Sequence, residues 1–120
     1  ATTVTAVTAT DPGDGLAPVA EATLVHTNPV AADLDKAKAT SARKILDDAD
    51  AHARKHGQAI TGIHVDNSTA AEGILRAAKE RHADLIVMGS HGRRGLGRLL
   101  LGSQAAEVLA HTDTPVLIIK

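Results

Sequence analysis

The residues with the clearest chemical pattern run from Gly89 to Ser103, reading Gly-Ser-His-Gly-Arg-Arg-Gly-Leu-Gly-Arg-Leu-Leu-Leu-Gly-Ser. They follow the apolar run Leu85-Ile86-Val87-Met88 and precede a stretch with helical periodicity. Glycines allow positive φ and a close backbone approach to a ligand, and a helix start offers unpaired N–H groups and a positive dipole end. Strand, glycine loop and helix together make a phosphate cradle at the carboxyl edge of a parallel sheet. Ser103 falls where a helix N-cap belongs, with its hydroxyl and the N–H groups of Gln104 and Ala105 turned to an anion. Arg93, Arg94 and Arg98 flank the loop, and guanidinium forks match phosphate oxygens, with Arg93 favoured because it follows Gly92 directly. His91 is a further donor in reach of a phosphate, the plainer reading being an exposed loop side chain.

Two standard phosphate motifs are excluded. A Walker A loop needs Gly-Lys-Ser/Thr, and the dinucleotide fingerprint needs a third glycine where Leu100 follows Gly95-Leu96-Gly97. The spacing present is glycine, two residues, glycine, nine residues, glycine, serine, filled by Gly89, Gly92, Gly102 and Ser103. Other chemistry is thin. His52 and His56 stand one helical turn apart but lack a third ligand, so they read as a solvated face. Ser90 and His91 are adjacent and have no third member, which leaves acyl transfer unsupported. Asp66 ends a strand on the edge where parallel sheets bind ligands, although a turn role beside Asn67 explains it as well.

The chain has 120 residues, enough for one domain with one core, spanning 1–120. A formal net charge of −1 gives no global electrostatic case for nucleic acid or an anionic membrane surface. Without cysteine there are no disulfides and no thiolate zinc sites, and no apolar run approaches the ~20 residues of a membrane span. The opening residues lack the segments of a secretory signal, so a cytoplasmic location is the expectation. Phe, Tyr and Trp are absent, so Leu, Ile, Val and Ala must fill the core and no aromatic ring can stack on a base.

The elements that hold the loop follow from periodicity. Residues 3–9 are β-branched and bounded by Asp-Pro-Gly-Asp-Gly, a strand entering a loop. Residues 10–32 lack periodicity and read as a mobile or functional segment. Leu34, Ala42, Ile45, Leu46, Ala49 and Ala53 place a helix over 33–56, with Gly57 as its C-terminal glycine. Residues 60–65 alternate as a strand, and Thr69-Ala70-Ala71-Glu72 is a capping box opening a helix that buries Ala71, Ile74, Leu75 and Ala78. Residues 84–88 read as a parallel strand covered on both faces, 103–111 as a helix and 115–119 as a last strand. Strands and helices alternate, which predicts an α/β fold with a parallel sheet.

The runs Ala83 to Gly92, Leu99 to Ser103 and Thr114 to Ile118 resemble the universal stress protein family, and the likeness extends back over roughly the last 90 residues. It implies an open parallel sheet with helices on both faces, Rossmann-like and similar to the adenine nucleotide alpha hydrolases. It implies ATP or a related adenine nucleotide, with Mg²⁺, held with Gly89, Gly92, Gly102 and Ser103 at the phosphates and Met88 beside the base. The nucleotide set then comprises Met88, Gly89, His91, Gly92, Arg93, Gly102, Ser103 and Gln104. A homodimer through the strand from Val116 to Ile119 is also implied, with a role in binding or sensing and at most slow hydrolysis. The alternative is a dimerising interaction module of the same fold that no longer holds nucleotide. The front departs from the family pattern. Counted back from Gly89, residues 3–8 align with the family's second strand, which leaves the first strand and helix unmatched and divides the sheet into two pairs. The competing register makes 3–10 the first strand and Asp11 the nucleotide aspartate, tens of residues closer to Asp84 than the family norm.

Overall fold

The computed structural model describes residues 2–10, 28–90 and 101–120. Their elements run β1 (Val4–Ala9), α1 (Asn28–Lys55), β2 (Ile60–Val65), α2 (Ala70–Glu80), β3 (Ile86–Gly89), α3 (Ser103–His111) and β4 (Val116–Ile119). Strands and helices alternate, and both strand pairings are parallel. The α/β class expected from the pattern is what forms.

The described strands make two pairs, as the register counted back from Gly89 requires. β1 lies beside β2 with Val4 opposite Ile60 and Ala9 opposite Val65. β3 lies beside β4 with Ile86 opposite Val116 and Gly89 opposite Ile119. Each pair is a β-α-β unit, closed by α1 in the first and α3 in the second. The chain correspondingly divides into two compact units, Ala1–Ser68 and Thr69–Lys120.

In the first unit, α1 begins at Asn28 rather than at residue 33. Pro29 falls in its first turn, where a missing N–H is no loss, so a residue that reads as loop punctuation belongs to the helix. The other end is as expected: Gly57 adopts φ +79° and Gln58 N–H donates to Ala53 O at 3.0 Å, closing the helix with a left-handed glycine. Ala42 is buried, while Ile45 faces outward. Leu46 lies over Gly62 of β2, where even a Cβ would come within 3.3 Å, so the glycine admits the helix close to the strand. Residues 11–27, including Asp11, lie outside the described residues.

In the second unit, Thr69 and Glu72 form the capping box in full, with Glu72 N–H to Thr69 Oγ1 at 3.2 Å and Thr69 N–H to Glu72 Oε2 at 3.3 Å. Ala71, Ile86 and Val108 form a buried cluster, joined by Ile74, Leu75, Ala78, Met88 and Val116. The expectation that residues 84–88 are covered on both faces is corrected. Ile86 is buried, but Leu85 and Val87 are 50% and 57% exposed, as are Leu117 and Ile119 at 50% and 53%. Side chains alternate across a strand, so the face carrying Ile86 and Val116 meets α2 and α3 while that carrying Val87, Leu117 and Ile119 does not.

Candidate functional site

The glycine segment leaves the second unit at the carboxyl end of β3. Gly89 is exposed there, and Ser90 is buried and extends the ladder by donating its N–H to Ile119 O at 2.9 Å. Gly102 N–H then donates to Ser90 O, so the chain returns to the point it left, directly before α3. The expected phosphate residues Gly89, Gly102 and Ser103 are thereby brought to one end of the β3–β4 unit. His91, Gly92 and Arg93, with Arg94 and Arg98, lie outside the described residues.

α3 starts at Ser103 as expected, but its N-cap lies one residue earlier than the sequence suggests. Gly102, extended at φ −70° and ψ 160°, is the N-cap of α3 and Ser103 is its first helical residue. Gly102 has no side chain to cap with, and no side-chain cap bond is present. Ser103, Gln104 and Ala105 have no intrahelical acceptor for their N–H groups, as in any first turn, and Ser103 is exposed. Neither Gly89 nor Gly102 needs positive φ, so what glycine offers here is the absence of a Cβ. The Gln104 side chain turns away from this opening, its Oε1 accepting from Ala71 N–H at 2.8 Å. Met88 packs into the buried cluster under the site.

The first unit carries a polar cluster that the sequence reading did not assemble. Thr10 Oγ1 lies 2.9 Å from His64 Nε2 and donates to Asp66 Oδ1 at 3.2 Å, while His64 Nε2 is 3.8 Å from the same carboxylate oxygen. All three sit at the carboxyl ends of β1 and β2, tied by Thr10 N–H to Val65 O and Ser68 N–H to Thr10 O, each 3.0 Å. Asp66 is thus a strand-end tie rather than a lone edge carboxylate. The one signal for it in the sequence is a Thr and a His at the ends of two strands whose pairing is known only from the register. Nearby, Arg43, Asp47, Asp50 and His64 line an open groove of about 550 Å³ between α1 and β2. Arg54 Nε donates to Asp50 Oδ2 at 2.7 Å, and this bond first, with help from the Ile60 backbone, holds the Asp50 carboxyl below its ordinary 3.8 against the opposing effect of burial. The rings of His52 and His56 lie 5.0 Å apart, and no group of three metal-ligating side chains occurs among the described residues. No helix among them is long and apolar enough to cross a membrane.

Fold and site together define a parallel α/β protein in which the carboxyl end of a strand, at Gly89 and Ser90, is tied to a helix start at Gly102. The sequence matches the universal stress protein family over residues 2–120, and the chain belongs to that family. It is 40% identical over 72 residues to a universal stress protein of Thermus aquaticus, covering 56% of this chain and 53% of that one. It is 48% identical over 60 residues to universal stress protein MJ0531 of Methanocaldococcus jannaschii, covering 48% of this chain and 35% of the relative. The matched segments thus span about half the length of these relatives or less. Among solved structures it is similar to the hypothetical protein MJ0577, with a TM-score of 0.79 at 25% identity, covering 100% of this chain and 76% of that one.

Proposed function

We propose that this chain binds an adenine nucleotide, ATP or a close relative with Mg²⁺ as the phosphate counterion, and acts by binding or sensing rather than by turnover. The observation that carries this reading is the start of α3: a glycine N-cap, an exposed Ser103 and a first turn without a side-chain cap, beside Gly89 at the end of β3. The donor set fits an anion. Backbone N–H groups of Ser103, Gln104 and Ala105 and the Ser103 hydroxyl supply hydrogen bonds at the positive end of a helix. In this reading Gly89, Gly92 and Gly102 let phosphate oxygens approach the backbone, His91 and Arg93 add donors, and Met88 borders the base. The compartment rich in ATP is the cytoplasm, which this reading takes as the protein's setting.

The assay is thermal unfolding by far-ultraviolet circular dichroism with and without Mg-ATP, because a chain lacking Tyr and Trp has no useful intrinsic fluorescence. Ligand at 100 times its dissociation constant adds about 2.7 kcal/mol and moves the midpoint up by several degrees. Gly102→Val accepts the extended backbone of its site, so it folds with a near-native midpoint, while its branched side chain fills the approach to the phosphates and removes the shift. A wild-type protein that unfolds cooperatively with no shift refutes the proposal.

A second reading is a dimerising interaction module without nucleotide. What favours it is the uncovered apolar face of the β3–β4 pair, Leu85, Val87, Leu117 and Ile119, each at least half exposed. Homodimer formation through β4 (Val116–Ile119) serves both readings, since an edge strand of this composition is a template for pairing.

A further inference from the structure

The second unit contains two helix starts, and one side chain joins them. Gln104 is the second residue of α3, and its Oε1 accepts the N–H of Ala71, the second residue of α2, at 2.8 Å. Ala71 is fully buried, so its N–H has no access to water, and an amide left without an acceptor there would be strongly disfavoured. The capping box at Thr69 and Glu72 serves other groups, which leaves this donor to the neighbouring helix.

The bond also restricts α3. Gln104 is followed by Ala105, which is buried, so the first turn of α3 is held at one point by packing and at the next by a hydrogen bond to α2. A helix pinned at two successive residues can neither roll about its axis nor slide along it without breaking one of them. The N–H groups of Ser103, Gln104 and Ala105 share that setting. Gly102, bonded back to Ser90, fixes the point from which the turn begins but has no side chain with which to set its rotation.

We infer that the Gln104 side chain is a positioning residue for the anion site: it acts through α2, orienting the first turn of α3, while its backbone N–H faces the ligand. This rests on the nucleotide reading given under Proposed function. It separates two roles within one residue and assigns α2 a part in the site without contact to the ligand.

The test uses the full chain with Gln104→Ala and Gln104→Leu, which remove the acceptor, and Gln104→Glu, which keeps one. Two quantities are read: hydrogen exchange at the Ala71 amide by nuclear magnetic resonance, and the Mg-ATP dissociation constant. In the wild type the Ala71 amide is protected despite lying in a first turn. Removing the acceptor abolishes that protection and weakens Mg-ATP binding about three- to tenfold, the range of one lost neutral hydrogen bond. Gln104→Glu retains Ala71 protection; its added charge opposes an anion, so its affinity is not the criterion. Exposed Ala71 with unchanged Mg-ATP binding in both acceptor-free variants overturns the inference, because the bond would then only cap α2. Retained protection in those variants overturns it too. Failure of the functional reading looks different, since wild-type protein then binds no Mg-ATP at all and the site to be oriented is gone.

Discussion

Val108 is fully buried and lies with Ala71 and Ile86 at the centre of the second unit's core, so Val108→Ala tests that core directly. The substitution removes two methyl groups. At about 0.8 kcal/mol per buried carbon, the transfer loss is about 1.6 kcal/mol. A cavity term adds to it, because neighbours close a void only partly. Here they have little freedom to do so: Ala71 has nothing to extend, and Ile86 is held in the β3–β4 ladder. A total of about 2–3 kcal/mol follows, which for a chain of this size lowers the unfolding midpoint by roughly 6–12 °C. Far-ultraviolet circular dichroism melts measure it, and faster exchange at the Ala71 and Ala77 amides locates the change in the second unit. A midpoint within about 2 °C of wild type would refute the reasoning, since that is too small for a void at this position.

Three further outcomes are expected. Leu117→Asp puts a charge on the uncovered apolar face, so a dimer formed there dissociates to half the mass by light scattering while the monomer keeps its far-ultraviolet spectrum. Thr10→Val keeps the β-branched shape but removes the hydroxyl between His64 and Asp66, lowering stability by about 1 kcal/mol in urea titration and altering the His64 ring resonances. Arg54→Met releases Asp50. Because the folded-state value of Asp50 is lowered, its contribution is present above the unfolded value and disappears as pH falls through the folded one. Wild type and variant therefore converge in strong acid and differ, slightly, near neutrality, as pH-dependent melts will show.

Where local signals bounded an element on both sides, the sequence placed it well. Residues 60–65 and 103–111 coincide with β2 and α3, and the capping box at Thr69 forms both of its bonds. Pro29 misled because proline reads as a breaker unless the following periodicity is strong enough to claim it as a first turn. At Gly102-Ser103 the serine was the better cap by residue type, yet it is the glycine, with its extended backbone, that takes the N-cap position. The apolar run at 85–88 carried no information on which face would be covered, because that depends on where α2 and α3 lie. The Gln104 to Ala71 bond spans 33 residues and the Thr10 to His64 bond 54, and no local pattern announces such pairings. Gly89, Gly102 and Ser103 lie at one end of the β3–β4 unit, and nothing in the sequence announced that the Gln104 side chain would bond to Ala71.

The backbone bond from Gly102 to Ser90 joins the N-cap of α3 to the residue that ends the β3 ladder. Ser90 is in turn bonded to Ile119, so strand pair and helix start are anchored on each other. Closing a longer connection between two points that are already fixed costs little, about 0.6 kcal/mol for a doubling of length. An insertion between two such anchors is therefore expected to leave the start of α3 where the strand pair sets it.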